Sequence, residues 1–285
     1  MQPAFRALLE RGDVSSIRNI RKHSRNTYVA YADVLGKPAV LKFNRYLLGS
    51  EGSEKVRQQI KVIESFLGAD RQHIPRVLAH WPVYGVIALE RCEYASIAEH
   101  LASPRFNVDR FGRIYGSAMR FFHERSTLSK PEEGLFLLHS DFSPGNLLVD
   151  VHGRDFCIID VPERKVLGNC DHDIGVALFE IIRTTIKLKK LQGIPLALSL
   201  RRAFLSGYDA SSKVLSLREL LSIYKREYSH AFQVMGRYLR FWGFPDWQRQ
   251  FFRMVVLLPA TIFLTMSILP LLQLAHAGSA RNHRR

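Results

Sequence analysis

The chain has 285 residues, a formal net charge of +15, 47% apolar residues and 24% charged residues. These values exclude a disordered polymer and leave room for a substantial core, in one bilobal unit or two small domains. Cys92, Cys157 and Cys170 are an odd number without C-x-x-C spacing, which argues against a disulfide framework or zinc ribbon and suits a reducing compartment. Residues 1–13 lack the basic-then-apolar run of a secretory leader, so a cytoplasmic location is expected. The positive surface favours anionic partners. Its basic residues are spread along the chain without an RNA- or DNA-binding motif, so nucleic acid is not among the expected partners.

In chain order, the spacing predicts a strand over 27–34, a turn at Leu35-Gly36-Lys37-Pro38 and a second strand over 39–43. Val56, Ile60, Ile63 and Leu67 recur at helical spacing and predict a helix over 53–67. Strands are expected near 81–83 and 85–90, followed by helices over 96–101 and 108–123. Leu147-Leu148-Val149-Asp150, the turn His152-Gly153-Arg154-Asp155 and the run from Phe156 to Ile159 read as a hairpin. A helix is expected from Asp173 to about residue 191, and nearly everything from residue 196 onward looks helical. The expected class is α+β, with a strand-rich lobe over 1–90 and a helical lobe over 91–285.

Chemistry concentrates around the hairpin. His139-Ser140-Asp141-Phe142-Ser143-Pro144-Gly145-Asn146 places an Asn five positions after the Asp of a His-x-Asp, the spacing of a phosphoryl-transfer loop. Asp160 follows the apolar run 156–159, so the hairpin brings Asn146 and Asp160 to one end of two neighbouring strands. One carboxylate can accept or orient the proton of an attacking hydroxyl, while an amide oxygen and a second carboxylate are hard donors of the kind Mg²⁺ prefers. Other polar clusters read as structural. His123-Glu124 ends a helix as a core or capping pair, and Asp171-His172-Asp173 reads as an acidic helix start rather than a metal cluster. Lys187, Lys189, Lys190, Arg201 and Arg202 read as a solvated face.

These residues resemble the aminoglycoside phosphotransferase and lipopolysaccharide-core kinase group, which share the protein-kinase-like fold. The likeness spans roughly residues 24–180. Ser24-Arg25-Asn26-Thr27-Tyr28 with Ala39-Val40-Leu41-Lys42 is similar to the nucleotide loop and the strand carrying a phosphate-binding lysine. Glu90-Arg91-Cys92-Glu93 falls at the hinge to the adenine pocket. The resemblance implies ATP and Mg²⁺ as cofactors and Asp141 as catalytic base or hydroxyl-orienting group. It implies Asn146 and Asp160 as metal ligands, and Lys42, Asn26, Gln59, Glu90 and Cys92 around the nucleotide. His139 and Asp173 take structural roles beside the site.

Three departures accompany the likeness. No G-x-G-x-x-G precedes Lys42; Gln59 stands where the fold carries the carboxylate that pairs the lysine; and Asp160 is followed by Val161-Pro162 rather than Phe-Gly. The expected activity is transfer of the γ-phosphate to a hydroxyl of a sugar or glycolipid, such as a lipopolysaccharide-core saccharide. A small-molecule kinase for aminoglycoside- or choline-like acceptors is the alternative, and a pseudokinase module of an envelope assembly is a third reading. The uncharged apolar stretch 254–272, within an expected helix over 254–277, leaves three readings open: a buried helix, a peripheral contact with anionic membrane, or a span.

Overall fold

The computed structural model describes residues 3–22, 27–44, 49–66, 72–104, 106–162 and 165–208, with isolated positions 222, 225, 226, 229 and 233. Asn26 and the stretch 254–277 lie outside the described residues.

The N-terminal part is an antiparallel sheet. Strands β1 (Ser16–Lys22), β2 (Thr27–Val34), β3 (Lys37–Asn44), β4 (Val77–Trp81) and β5 (Val86–Glu90) lie in the order β1-β2-β3-β5-β4. The β2–β3 hairpin closes through Leu35-Gly36, both at positive φ (51° and 72°), with Val34 facing Lys37. Helix α1 (Pro3–Glu10) buries Phe5 and Leu8 in a core with Val34, Leu41, Phe43 and Val86. Helix α2 (Gly49–Glu64) follows β3.

Neither α1 nor β1 was expected from the pattern. In β1 the register against β2 shifts between Arg18 and Arg21, and Asn19 lies at φ 53°. Such a bulge breaks the two-residue alternation by which a strand is recognised. In α1 the only fully buried pair is one i,i+3 contact in an eight-residue helix, too short for its period to stand out. The strand expected near 81–83 ends at Trp81. Pro82 opens a short 3₁₀ turn to Tyr84, closed by Gly85 at φ 61°, because proline has no N–H for a strand ladder.

The C-terminal part is helical. Strand β6 (Ala95–Ser96) leads directly into α3 (Ile97–Ala102), which starts with a full capping box: Ser96 Oγ accepts the Glu99 N–H while Glu99 accepts the Ser96 N–H. Helix α4 (Val108–Arg125) is capped by Asn107. After β7 (Phe136–Leu137) come the hairpin strands β8 (Leu147–Val149) and β9 (Phe156–Ile158), then β10 (Leu167–Gly168), α5 (Asp171–Lys189) and α6 (Ile194–Tyr208). β6, β8 and β9 form one small sheet, and β10 pairs with β7. The second core gathers Tyr115, Phe122, Phe142, Leu147, Ile158, Ile174, Ile181 and Phe204. Val62 and Ile63, from the end of α2, and Phe66 just after it also belong to it, so this helix is fastened to the helical half as well as following the sheet.

Helices α4 and α6 approach closely because glycines line their contact. A Cβ on Gly116 would sit 1.9 Å from the Phe204 carbonyl oxygen, and one on Gly207 would sit 2.0 Å from that of Arg113. Backbone atoms cannot yield as a flexible side chain does. Gly116→Ala is expected to cost about 3 kcal/mol through overpacking. Thermal unfolding would show the transition lowered by roughly 5–10 °C, given a few degrees per kcal/mol for a chain of this size. No helix among the described residues is long and apolar enough to cross a membrane.

Candidate active site

The β8–β9 hairpin sets the site. Leu147 pairs with Ile158 and Val149 with Phe156, so Asn146 and Asp160 emerge at the same end. The Ile159 N–H donates to the Asn146 carbonyl at 2.9 Å and extends the ladder to the mouth. The loop from His139 to Asn146 then folds over that end. Ser140 turns it at φ 64°. The Ser143 N–H donates to the Asp141 carbonyl at 2.9 Å, and the Asn146 N–H donates to the Ser143 carbonyl at 2.9 Å. The Asn146 side-chain amide donates to the same Asp141 carbonyl at 2.8 Å. With its nitrogen so committed, Asn146 is oriented with Oδ1 as its remaining ligating atom. Asp141 itself is exposed.

Beneath the loop lies the carboxylate of Asp173, fully buried in the first turn of α5. It accepts the His139 N–H at 2.6 Å and the Ser140 N–H at 2.8 Å. Its Oδ2 is also 3.0 Å from Nε2 of His123, whose Nδ1 is 2.9 Å from the Tyr208 hydroxyl. In a neutral ring, Nε2–H is the donor to Asp173, and Nδ1 accepts the hydroxyl proton. The loop is held from two more sides. Tyr115 donates its hydroxyl to the Phe142 carbonyl at 2.6 Å, and His139 Nε2 reaches the Ile159 carbonyl at 3.2 Å. Burial opposes the charge on Asp173, but the His123 hydrogen bond, the positive field of His123 and His139, and the His139 N–H together hold its carboxyl below the usual range. Burial and the nearby acids Glu180, Asp141 and Asp173 push the Tyr115 phenol well up, so it serves as a neutral donor.

Lys42 extends from the middle of β3, flanked in register by Val29 on β2 and Ile87 on β5. Its ammonium pairs directly with the Asp160 carboxylate. Lys42, Asp160, Asn146 and the Asp141 loop therefore share one mouth between the sheet and the hairpin. Gln59, expected beside Lys42, is turned elsewhere: it is buried in α2, and its amide donates to the Val161 carbonyl at 2.7 Å. Glu90 ends β5, where its N–H donates to the Arg76 carbonyl at 2.8 Å and its carboxylate faces the Arg76 guanidinium at 3.7 Å. Cys92 follows, half-buried. A hydrogen bond from the Cys157 thiol and another from the Tyr94 backbone outweigh burial and bring its thiol down to about 7.

His123, Tyr208 and Tyr115 are the residues that sequence reasoning left out of the site. His123 was expected as a core or capping histidine, and it is buried. Its link to Asp173 spans 50 positions and leaves no local trace. Asp171-His172-Asp173 opens α5, as expected of an acidic helix start, but Asp173 spends its carboxylate on the loop rather than on its own helix.

This architecture, a five-stranded antiparallel sheet joined to a helical part with a loop-bearing hairpin between, is the bilobal protein-kinase-like fold of the aminoglycoside phosphotransferases. The structure is similar to that of a type VIII aminoglycoside-3'-phosphotransferase, with a TM-score of 0.53 and 16% sequence identity over 78% of this chain and 96% of the other. It is also similar to that of the aminoglycoside phosphotransferase APH(4)-Ia, with a TM-score of 0.53 and 14% identity over 92% of this chain and 97% of the other. No protein-family model matches the sequence, and no curated protein matches it.

The depressed carboxyl of Asp173 ties stability to pH. Its contribution is full above the ordinary carboxylate range, near pH 4, and is lost as pH falls through the lower folded value. Asp173→Asn should cost about 3 kcal/mol at pH 7, because an amide cannot accept both loop N–H groups and the His123 donor. In urea titrations the gap between wild type and variant should narrow as pH falls below about 4. A gap that stays constant with pH would show that the charge on Asp173 contributes nothing.

Proposed function

We propose that the chain is an ATP-dependent phosphotransferase that moves the γ-phosphate onto a hydroxyl of a soluble small molecule of the sugar or amino-alcohol class. The observation that carries this reading is the convergence of Asp141, Asn146, Asp160 and Lys42 at one mouth, reached from three segments: the 139–146 loop, the end of β9 and β3. The fold supports it, since the two solved structures named above are of aminoglycoside phosphotransferases.

Each residue has a role that its setting suits. Asp141 is exposed, where an acceptor hydroxyl can reach it, and it accepts or orients the proton of that hydroxyl. Asn146 Oδ1 and the Asp160 carboxylate are the hard oxygens that would hold Mg²⁺ on the phosphates, and the donor set fits that ion. When bound, Mg²⁺ supplies charge neutralisation for the transferring phosphate. Lys42 holds Asp160 and provides the cation for the nucleotide phosphates; exchanging its carboxylate partner for a phosphate keeps the ammonium paired. His139 and Asp173 hold the loop backbone rather than touching substrate. Glu90 and Cys92, where the sheet joins the helical part, are at the adenine edge.

A second acceptor class, a glycolipid such as a lipopolysaccharide-core saccharide, is favoured by one observation: the net charge of +15 suits an anionic partner better than a cationic aminoglycoside. Peripheral contact with anionic membrane belongs to that reading. A pseudokinase would keep the Lys42–Asp160 pair closed and transfer nothing.

Transfer of labelled γ-phosphate from Mg-ATP into a soluble metabolite extract and, in parallel, an envelope glycolipid extract separates these readings. We expect label in the soluble fraction with wild-type protein. Asp141→Asn should lower transfer by roughly 10²–10⁴-fold with ATP affinity nearly unchanged. Label in the lipid fraction alone selects the glycolipid acceptor. No transfer from protein that still binds ATP selects the pseudokinase.

A further inference from the structure

The resemblance aligns Gln59 with the helix position that partners the β3 lysine in kinases, and Gln59 makes no bond to Lys42 among the described residues. It is 2% exposed, and its Nε2 lies 2.7 Å from the Val161 carbonyl oxygen. That contact fixes which end of the amide faces Val161, because only the NH₂ can donate to a carbonyl. Lys42 meanwhile has Asp160 itself as its partner.

Asp160 sits at φ 58°, a left-handed conformation that is costly for a residue with a Cβ and persists only where the surroundings impose it. The restraints lie on both sides of it. On the N-terminal side, the Ile159 N–H donates to the Asn146 carbonyl at 2.9 Å, and the Ile159 carbonyl is 3.2 Å from His139 Nε2. On the C-terminal side, the Val161 carbonyl takes the Gln59 amide, and the Val161 side chain is buried in the core. Gln59 is held in turn by α2, whose end packs into the helical half through Val62 and Ile63.

We propose that Gln59 is a positioning residue for Asp160, acting through the Val161 carbonyl instead of through Lys42. The inference rests on the kinase reading for what Asp160 holds, but not for the contact itself. It reverses an expectation of the fold. If residue 59 served Lys42, Gln59→Glu would supply the missing charge and preserve or raise activity. If it serves Val161, a glutamate sets a carboxylate against a carbonyl with no proton to share and displaces Asp160.

Two variants and two readouts test this. Gln59→Glu removes the donor and adds a repelling acceptor; Gln59→Leu removes the donor while keeping the volume apolar, so it remains informative if the glutamate variant folds poorly. By hydrogen exchange and mass spectrometry, peptides spanning 157–162 should exchange roughly tenfold faster in both variants. By calorimetry, ADP affinity without metal should change by less than about threefold, while the enhancement by Mg²⁺ should fall roughly tenfold or more. Gln59→Glu that binds Mg·ADP or turns over as well as wild type would overturn the proposal, as would unchanged exchange in Gln59→Leu. Wild-type protein that binds no ADP would instead defeat the kinase reading, and the exchange measurement alone would then decide the role of Gln59.

Discussion

The loop that carries Asp141 is held by one buried carboxylate. Asp173 accepts two consecutive loop N–H groups and stays below the ordinary carboxyl range although burial opposes its charge. A charge in such a place is tolerated only because every lone pair that matters is used. His123 and Tyr208 extend the same network to α4 and α6, so the two helices whose glycines let them pack so closely also brace the loop. Packing and polar satisfaction are thus one constraint: a displaced α6 would carry Tyr208 away from His123 and loosen the support of Asp173.

The mouth above that support is electrostatically closed on itself. Lys42 and Asp160 neutralise each other across the space between sheet and hairpin. A paired cation and anion of this kind, partly exposed, costs little to maintain and can be exchanged for a phosphate and a divalent ion without leaving either side chain uncompensated. Hydrogen bonds to backbone carbonyls hold the geometry around the pair. Asn146 is tied to Asp141, Ile159 to Asn146 and Val161 to Gln59.

Much of this was legible in the linear chain, for local reasons. The loop 139–146, the hairpin and Asp160 lie within 22 consecutive positions, and their spacing reflects a turn and two strands that need no distant partner to be recognised. The β2 and β3 strands, α3, α4 and α5 followed from periodicity with small shifts at their ends. The elements that escaped include α1 and β1, a short helix and a bulged strand whose periodic signal is broken within the element, and the two-residue strands β6, β7 and β10, too short to show a period. The strand expected beyond Trp81 failed at Pro82, where a missing donor outweighs apolar content.

The sequence by itself determined the residue types at the mouth and the hairpin that aligns Asn146 with Asp160, because hydrogen-bond registry and turn chemistry act between near neighbours. Only the tertiary structure decided which of the buried polar groups meet. His123 with Asp173, Tyr208 with His123, and Gln59 with Val161 rather than Lys42 are pairings across 50, 85 and 102 positions. Their residue types are compatible with many partners, and the choice falls to whichever donor and acceptor the packed core leaves face to face, where an unmade bond costs more than the made one gains.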